Sequence, residues 1–310
     1  MGSTSDRAIY NLQNSDLCAI DPWIASALIS IADMHNLKTK YLNKAFALSN
    51  ENNLSEFSRS ELKSSLGTIE LRHGANKAAK RLFRQSLVDP TENALAQARW
   101  MTKKFGLDSS LVVEQSKKVT APFESNSWVH YYNKRFIDCI NEALLWASFD
   151  SLNPEPVILA SFVESTFLEN DNKTLQIIDN ATPVQKADPT VINNKVFSLI
   201  ELGRLEEGIA ILNKQNILKL PDRDKLTFIA TLGFAAFRSG NSELGRKYYQ
   251  TAISGFINIG EPINATVAKY YYAREEKRLN SEFSYALISD VKDEIKGKNI
   301  FAFDELSNKL

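Results

Sequence analysis

The sequence predicts an all-α protein built as an α-solenoid of antiparallel helix pairs, and three observations lead to that fold class. Prolines recur at nearly regular steps, apolar residues at helical spacing fill the intervals, and no stretch alternates with period two for long enough to form a strand. The regular step is the most informative of the three, because a period of about 20–50 residues is typical of proteins that grow by stacking repeats.

The regular prolines predict where successive helix pairs begin. They are Pro90, Pro122, Pro154, Pro189 and Pro221, and steps of 32, 32, 35 and 32 residues separate them. Proline is tolerated in the first turn of a helix but not in its interior, because it lacks an amide N–H and clashes with the preceding turn. We therefore expect each of these prolines to start a two-helix unit.

Two consecutive units in the C-terminal half show the plan best. The first begins at Pro189 and turns at Gly203, and the second turns at Gly240, 37 residues later. Glycine permits the left-handed backbone that ends a helix, and Asn241 is placed to cap the helix that follows. The helices predicted for the second of these units are Phe228–Ser239 and Ser242–Ser254.

Small and aromatic residues recur in two of the predicted units. One unit carries Leu232, Gly233, Gly245, Tyr249 and Ala252, and the other carries Leu66, Gly67, Gly74, Ala79, Phe83, Ser86 and Pro90. These two units resemble the tetratricopeptide repeat family, in which small residues lie where paired helices touch and aromatic residues fill the gaps between neighbouring pairs. The resemblance implies a right-handed superhelix, and it extends as a period over residues 22–296.

The predicted organisation is a single solenoid over residues 1–310. Residues 1–21 form an N-terminal lead-in, residues 22–261 about six helix pairs, and residues 262–310 the last helix pair and a C-terminal cap. Because residues 1–3 resemble a cloning scar, we expect either an excised piece of a longer chain or a naturally short N-terminal cap.

Composition argues against several classes of function. The chain has 37 basic and 37 acidic residues, so nothing in its net charge favours nucleic acid or an anionic membrane. Two cysteines and three histidines are too few for a metal cluster of the usual spacing, and no glycine-rich phosphate motif is present. No signal peptide or run of about 18–20 apolar residues is visible. We expect a cytoplasmic, non-catalytic protein without metal or cofactor.

The resemblance also implies a binding surface, namely a concave face lined by the first helix of each pair. By position in the family's pattern, its ligand-facing residues are Asn193, Phe197, Phe234, Arg238, Tyr270 and Arg274. Phe197 and Phe234 occupy the same position in adjacent units, so we expect them to be neighbours. Two alternatives remain open for these rings, which are either exposed anchors for a partner or packing against the next unit. Arg238 is expected to bind a carboxylate of the partner.

The function favoured by these patterns is a protein–protein interaction scaffold that binds a peptide or a partner helix in its concave groove. The alternative is a regulatory or sensor region of a larger enzyme or transcription factor, of which this chain is the C-terminal part. A catalytic or DNA-binding domain upstream in the gene would favour the alternative.

Overall fold

A computed structural model describes residues 21–34, 41–298, 303–308 and 310, and within those ranges all regular structure is helical. The all-α prediction is therefore confirmed for the described residues. The predicted lead-in lies outside these ranges except for Asp21.

The helices are α1 (Pro22–Met34), α2 (Leu42–Leu48), α3 (Glu56–Arg72), α4 (Asn76–Ser86), α5 (Glu92–Phe105), α6 (Ser109–Ser116), α7 (Phe123–Tyr132), α8 (Phe136–Phe149), α9 (Glu155–Thr166), α10 (Asp171–Asn180), α11 (Pro183–Lys186), α12 (Pro189–Glu201), α13 (Leu205–Leu212), α14 (Asp222–Arg238), α15 (Ser242–Asn258), α16 (Pro262–Arg278), α17 (Ser284–Lys298) and α18 (Phe303–Ser307).

The regular prolines lie at helix starts, as the sequence predicts. Pro189 is the first residue of α12, and Pro154 and Pro221 are the N-cap residues of α9 and α14. Pro90 precedes Thr91, whose hydroxyl caps α5 by accepting a hydrogen bond from the amide of Ala94 at 3.1 Å. The missing N–H of proline costs nothing at these positions, because the first amides of a helix have no intrahelical acceptor.

The turns between helices repeat one geometry. Gly74, Gly203 and Gly240 have φ of +82°, +77° and +85°, so the left-handed backbone expected at each is confirmed. After the second of these turns the amide of Arg204 donates to the carbonyl of Leu199 at 2.8 Å, which satisfies a carbonyl at the end of α12.

Helices that follow one another in the chain pack together. Contacts join α3 to α4, α8 to α9, α14 to α15, α15 to α16 and α16 to α17. The closest approach within α14 and α15 depends on glycine, since a Cβ at Gly233 would lie 3.1 Å from the carbonyl oxygen of Gly245 and 3.0 Å from the ring of Tyr249. Small residues at the contact therefore allow the two backbones to meet, as the resemblance implies.

Some boundaries differ from the sequence prediction. Helix α14 begins at Asp222, six residues before the predicted start at Phe228. The sequence pattern missed this first part because it is polar and has no apolar spacing. Asp222 and Asp224 stabilise a helix there, since acidic side chains favour a helix N-terminus. The sequence patterns also missed α11, α18 and a 3₁₀ turn at Ile217–Lys219. Helix α11 is only one turn long, too short to show a period, and a capping box between Thr182 and Gln185 holds it.

The contacts divide the chain into two compact units, residues 1–129 and residues 130–310. The core of the first unit includes Leu62 and Leu66 of α3, both fully buried. The second contains a larger aromatic core around Phe228, Phe234 and Tyr249.

At the C-terminal end of the second unit, α17 and α18 cover α16. Val291 and Ile295 of α17 and Phe303 of α18 are buried in one cluster with Tyr270. Phe283 lies just before α17 and is 46% exposed.

Candidate binding site

A cavity of about 510 Å³ lies within the second unit. Its walls come from the C-terminal parts of α9, α12, α14 and α16 and from the turn that leads into α10. This volume is within the range of small-ligand and peptide side-chain pockets, about 300–1,000 Å³. The elements that meet here are the first helices of the predicted pairs, so the cavity is the best candidate for a binding site among the described residues.

Two arginines and two glutamates form an ion-pair cluster in the cavity wall. Arg238 donates from Nε to one oxygen of Glu275 at 2.7 Å and from Nη2 to the other at 3.0 Å. The same Nη2 donates to Glu201 at 3.1 Å. Arg274 pairs with Glu201 and contacts Glu275 at 3.2 Å. The two positive charges are thereby balanced by two negative charges, one from α12 and one from α16.

Aromatic rings lie beneath these guanidinium groups. Arg238 is 4.8 Å from the ring centroid of Phe234, and Arg274 is 5.0 Å from that of Tyr271. Phe197 lies between them, with its ring centroid 5.0 Å from Phe234 and 5.1 Å from Tyr271. Cation–π contacts of this kind contribute about 0.5–2 kcal/mol each, more where the cation is shielded from water. The rings therefore hold the arginines in place together with the carboxylates.

The environment of the cavity wall changes the pKa values of Arg274, Tyr270 and Tyr271. Burial by itself would lower the pKa of Arg274, but the carboxylate of Glu201 and other neighbours raise it above its ordinary range. Burial raises the pKa of Tyr270 to about 12, and it also raises that of Tyr271, whose hydroxyl lies 3.1 Å from that of Thr166. Both phenols stay neutral and Arg274 stays charged under ordinary conditions.

Polar groups from the end of α9 and the start of α10 also line the cavity. The Ser165 hydroxyl donates to the Asp171 carboxylate at 2.6 Å, and Asn170 caps α10 by accepting from the amide of Lys173. Glu169 has φ of 54°, so a non-glycine residue makes the left-handed turn there. Asn172 is exposed at the rim. These side chains and backbone groups are suited to hydrogen bonds with a peptide main chain.

The structure brings four of the six predicted site residues to the cavity, namely Phe197, Arg238, Tyr270 and Arg274. Phe197 and Phe234 are neighbours, as expected from their matching positions. Phe197 is half-buried and lines the cavity, so it retains surface for a ligand. Tyr270 also lines the cavity, although it is mostly buried and its ring packs edge-on against Phe303 at 5.8 Å between centroids.

The two other predicted residues, Asn193 and Phe234, are not on the surface. Phe234 is 1% exposed, so the packing alternative is correct for this ring and the exposed-anchor alternative is wrong. Asn193 is also buried, and its side-chain oxygen accepts from the hydroxyl of Thr231 at 2.7 Å. Both side chains pack against the adjacent helix. The spacing of residues within one helix cannot distinguish such a buried face from a face open to solvent.

The role expected for Arg238 is corrected as well. The sequence analysis expected this side chain to bind a carboxylate of the partner. In the structure the buried carboxylate of Glu275 already accepts two hydrogen bonds from the Arg238 guanidinium. Removing that carboxylate would leave a partly buried guanidinium without its main partner, which is costly. Arg238 is therefore a structural member of the cavity wall.

The sequence contained a signal for the residues that were missed. Glu201, Arg238 and Glu275 lie 37 residues apart in succession, and so do Phe197, Phe234 and Tyr271. A strict 37-residue register therefore selects Tyr271 and Glu275 in the third position, one residue after the predicted Tyr270 and Arg274. Alignment of the three helices on that step would have found both the charged row and the aromatic row.

Scans of the chain against models of protein families and against curated proteins found no match. Among the described residues, no group of three or more His, Cys, Asp or Glu side chains is placed to hold a metal ion. In the same part of the chain, no helix has the length and apolar character needed to cross a membrane.

Proposed function

We propose that this chain is a tetratricopeptide-like α-solenoid and a non-catalytic interaction module, which binds a peptide or partner helix in a groove formed by the first helices of its pairs. The single observation that carries this proposal is the cavity of about 510 Å³ whose walls come from α9, α12, α14 and α16. Supporting it are the recurring left-handed turns and the 37-residue step that relates side chains in neighbouring helices.

The chemistry of the wall favours an apolar side chain as the ligand's main contact. Phe197 offers a half-buried ring, and Leu202 and Leu310 add apolar surface nearby. The guanidinium groups of Arg238 and Arg274 are engaged by glutamates, so they do not attract a ligand carboxylate strongly. A peptide would place an aromatic or aliphatic residue against Phe197 and hydrogen-bond its main chain to the polar side of the cavity.

Selection of peptides from a random display library by the full chain tests this proposal. A selected peptide should bind with a measurable dissociation constant, and Phe197→Ala should weaken it by about 1–3 kcal/mol, or roughly 5–150-fold. Because that ring is half-buried, a second variant is needed that leaves the fold untouched. Asn172→Trp places a bulky group at the exposed rim and should block entry.

The matched control is Asn258→Trp, which changes an exposed asparagine outside the cavity. Peptides that bind Asn172→Trp and Asn258→Trp equally well would show that the cavity is not the binding site. Failure to select any peptide would remove the proposed function altogether.

A further inference from the structure

The C-terminal segment, residues 303–310 with α18 at its start, lies against two helices that are far apart in the sequence. The ring of Phe303 packs edge-on against that of Tyr270 in α16, at 5.8 Å between centroids. It also lies 6.5 Å from the ring of Phe162 in α9 and 6.0 Å from that of Phe167, the residue after α9. Helices α9 and α16 are both first helices of predicted pairs. The segment therefore occupies the kind of surface on which the proposed function places a ligand helix.

Apolar side chains attach this segment to the rest of the second unit. Phe303, Leu306 and Leu310 keep only 4%, 2% and 9% of their surface exposed, whereas Asn308 is exposed. Apolar residues three and seven positions after the first are typical of an amphipathic helix that lays one face into a groove. The segment is thus bound in the way that a helical peptide ligand is bound.

The floor beneath the segment is an aromatic groove formed by Phe162, Phe167, Tyr270 and Tyr271. Contacts outside the segment hold this floor in place. Phe167 stacks on Phe136 of α8 at 4.5 Å between centroids. The hydroxyl of Tyr271 lies 3.1 Å from that of Thr166, which links α16 to α9 directly. The aromatic groove should therefore keep its shape when the segment leaves it.

The segment has little helical stability of its own. Helix α18 has only five residues, and isolated helices shorter than about 12–15 residues are marginal in water. After the helix, the amide of Leu310 donates to the carbonyl of Ser307 at 3.3 Å, which is long for a hydrogen bond of this type. Elements held by few buried side chains open at a lower free energy than the core does.

The aromatic groove adjoins the cavity. Leu310 lines the cavity of about 510 Å³, and so do Tyr270 and Tyr271 of the groove. The cavity is open with the segment in place, whereas the groove is covered by Phe303 and Leu306. A ligand that entered both would have to replace the segment.

We propose that the C-terminal segment is an intramolecular ligand, and that the aromatic groove binds a partner helix with the same apolar pattern, Phe-x-x-Leu-x-x-x-Leu, in its place. A ligand joined to its own site by a short connection acts at an effective concentration on the order of millimolar. The segment therefore excludes weak ligands, and a partner helix must match the pattern closely to compete. This inference deepens the proposed function and rests on it only in taking the first helices as the binding surface.

A fluorescently labelled peptide of residues 299–310, added to the full chain, tests the proposal. Leu306→Asp puts a charge into the apolar contact and should release the segment. Fluorescence anisotropy should then show the peptide binding this variant at least about tenfold more tightly than the unchanged chain, whose groove is open in only a small fraction of molecules. Asn308→Asp is the matched control, because it adds the same charge to the same segment at an exposed position and should bind like the unchanged chain.

Two further comparisons guard the result against loss of folding and against nonspecific binding. Leu310→Asp releases the segment from its other end and should also tighten binding, so the test stands if Leu306→Asp does not fold. Circular dichroism and the melting temperature establish which variants are folded. A peptide that itself carries Leu306→Asp should bind none of the chains.

Equal binding of the peptide to the unchanged chain and to the releasing variants overturns the proposal. Absence of binding to a folded releasing variant also overturns it, since the segment is then an ordinary part of the core. A dimer of the unchanged chain that Leu306→Asp dissociates in sedimentation velocity overturns it too, because the segment is then exchanged between two copies. The proposed function fails separately, because selection from the library uses the open cavity and is judged by Asn172→Trp.

Discussion

The two units join equivalent helices with different chemistry. In the first unit, α3 and α5 are linked by short polar side chains, since Ser64 and Thr68 both donate to the amide oxygen of Gln97 at 2.8 Å. In the second, α12, α14 and α16 are linked by arginines, glutamates and aromatic rings. In the first unit, Ser64 and Gln97 are 33 residues apart in the sequence. In the second unit, the linked residues Arg238 and Glu275 are 37 residues apart.

The candidate site lies beside the charged and aromatic arrangement of the second unit. The cavity of about 510 Å³ is lined by Phe197, Glu201, Arg238, Arg274 and Glu275. Similar helix pairs therefore differ in the side chains that they place between their first helices.

The largest effect is expected from Phe234→Ala in the second unit. Removal of this fully buried ring should lower the free energy of unfolding by about 3–5 kcal/mol, because lost transfer energy and a cavity both contribute. Urea denaturation followed by circular dichroism measures it. The control is Phe57→Ala in the first unit, where the ring is 45% exposed and the loss should be much smaller. Equal stability of both variants would contradict the assignment of Phe234 to the core.

Loss of a carboxylate should also distinguish the units. Glu275→Ala leaves Arg238 and Arg274 without a buried partner and should cost about 3–4 kcal/mol. In the first unit, Glu61→Ala removes the acceptor for the Thr91 hydroxyl, a bond from a neutral donor at 2.8 Å, and should cost about 1.5–3 kcal/mol. The same urea titrations compare the two. If Glu275→Ala is the milder change, the ion-pair cluster contributes little to the fold.

Glycine contacts should give the next smaller difference. Gly233→Ala puts a methyl group 3.1 Å from the carbonyl oxygen of Gly245, which can yield only if α15 shifts, and about 1–3 kcal/mol should be lost. Gly67→Ala in the first unit meets only the ring of Phe83 at 3.1–3.3 Å, and a side chain adjusts more easily than a backbone. Thermal unfolding should therefore show the lower melting temperature for Gly233→Ala. The reverse order would mean that α14 and α15 are less tightly packed than their geometry indicates.

The smallest effect is the contribution of Tyr270, in the second unit, to the dependence of stability on pH. Burial raises the pKa of Cys139 from 9.0 to about 12 and that of Tyr270 from 10.0 to about 12. The unfolded chain releases these protons at lower pH than the folded chain, so stability is complete below about pH 9 and declines as pH rises toward 12.

The slope from each group is at most about 1.4 kcal/mol per pH unit. Urea midpoints measured between pH 8 and pH 11 would follow this decline, and Tyr270→Phe should flatten it. An unchanged slope in that variant would mean that the Tyr270 hydroxyl is already solvated in the folded chain.

Local sequence features predicted the helices and much of their order. Proline at Pro189 and Pro221 and glycine at Gly203 and Gly240 act through backbone chemistry that is the same in any fold, so helix starts and turns could be placed from residue type alone. Apolar spacing failed where it was absent, as in the polar first turn of α14 and in the single turn of α11. The 37-residue step also identified Phe197 and Phe234 as neighbours.

Tertiary packing decided which of those residues face the cavity. The helical spacing places Asn193 and Phe197 on one face of α12, and Phe234 on the matching face of α14. That face of either helix can lie against solvent or against an adjacent helix. Burial depends on the distance and rotation between α12, α14 and α16, which arise from contacts far apart in sequence. The 37-residue register places Glu201 and Glu275 at the same level as Arg238, but it does not say whether their carboxylates reach Arg238 or point to solvent. Glu201 and Glu275 reach Arg238 only because both neighbouring helices pack against α14, and their carboxylates take the place that the sequence suggested for a ligand.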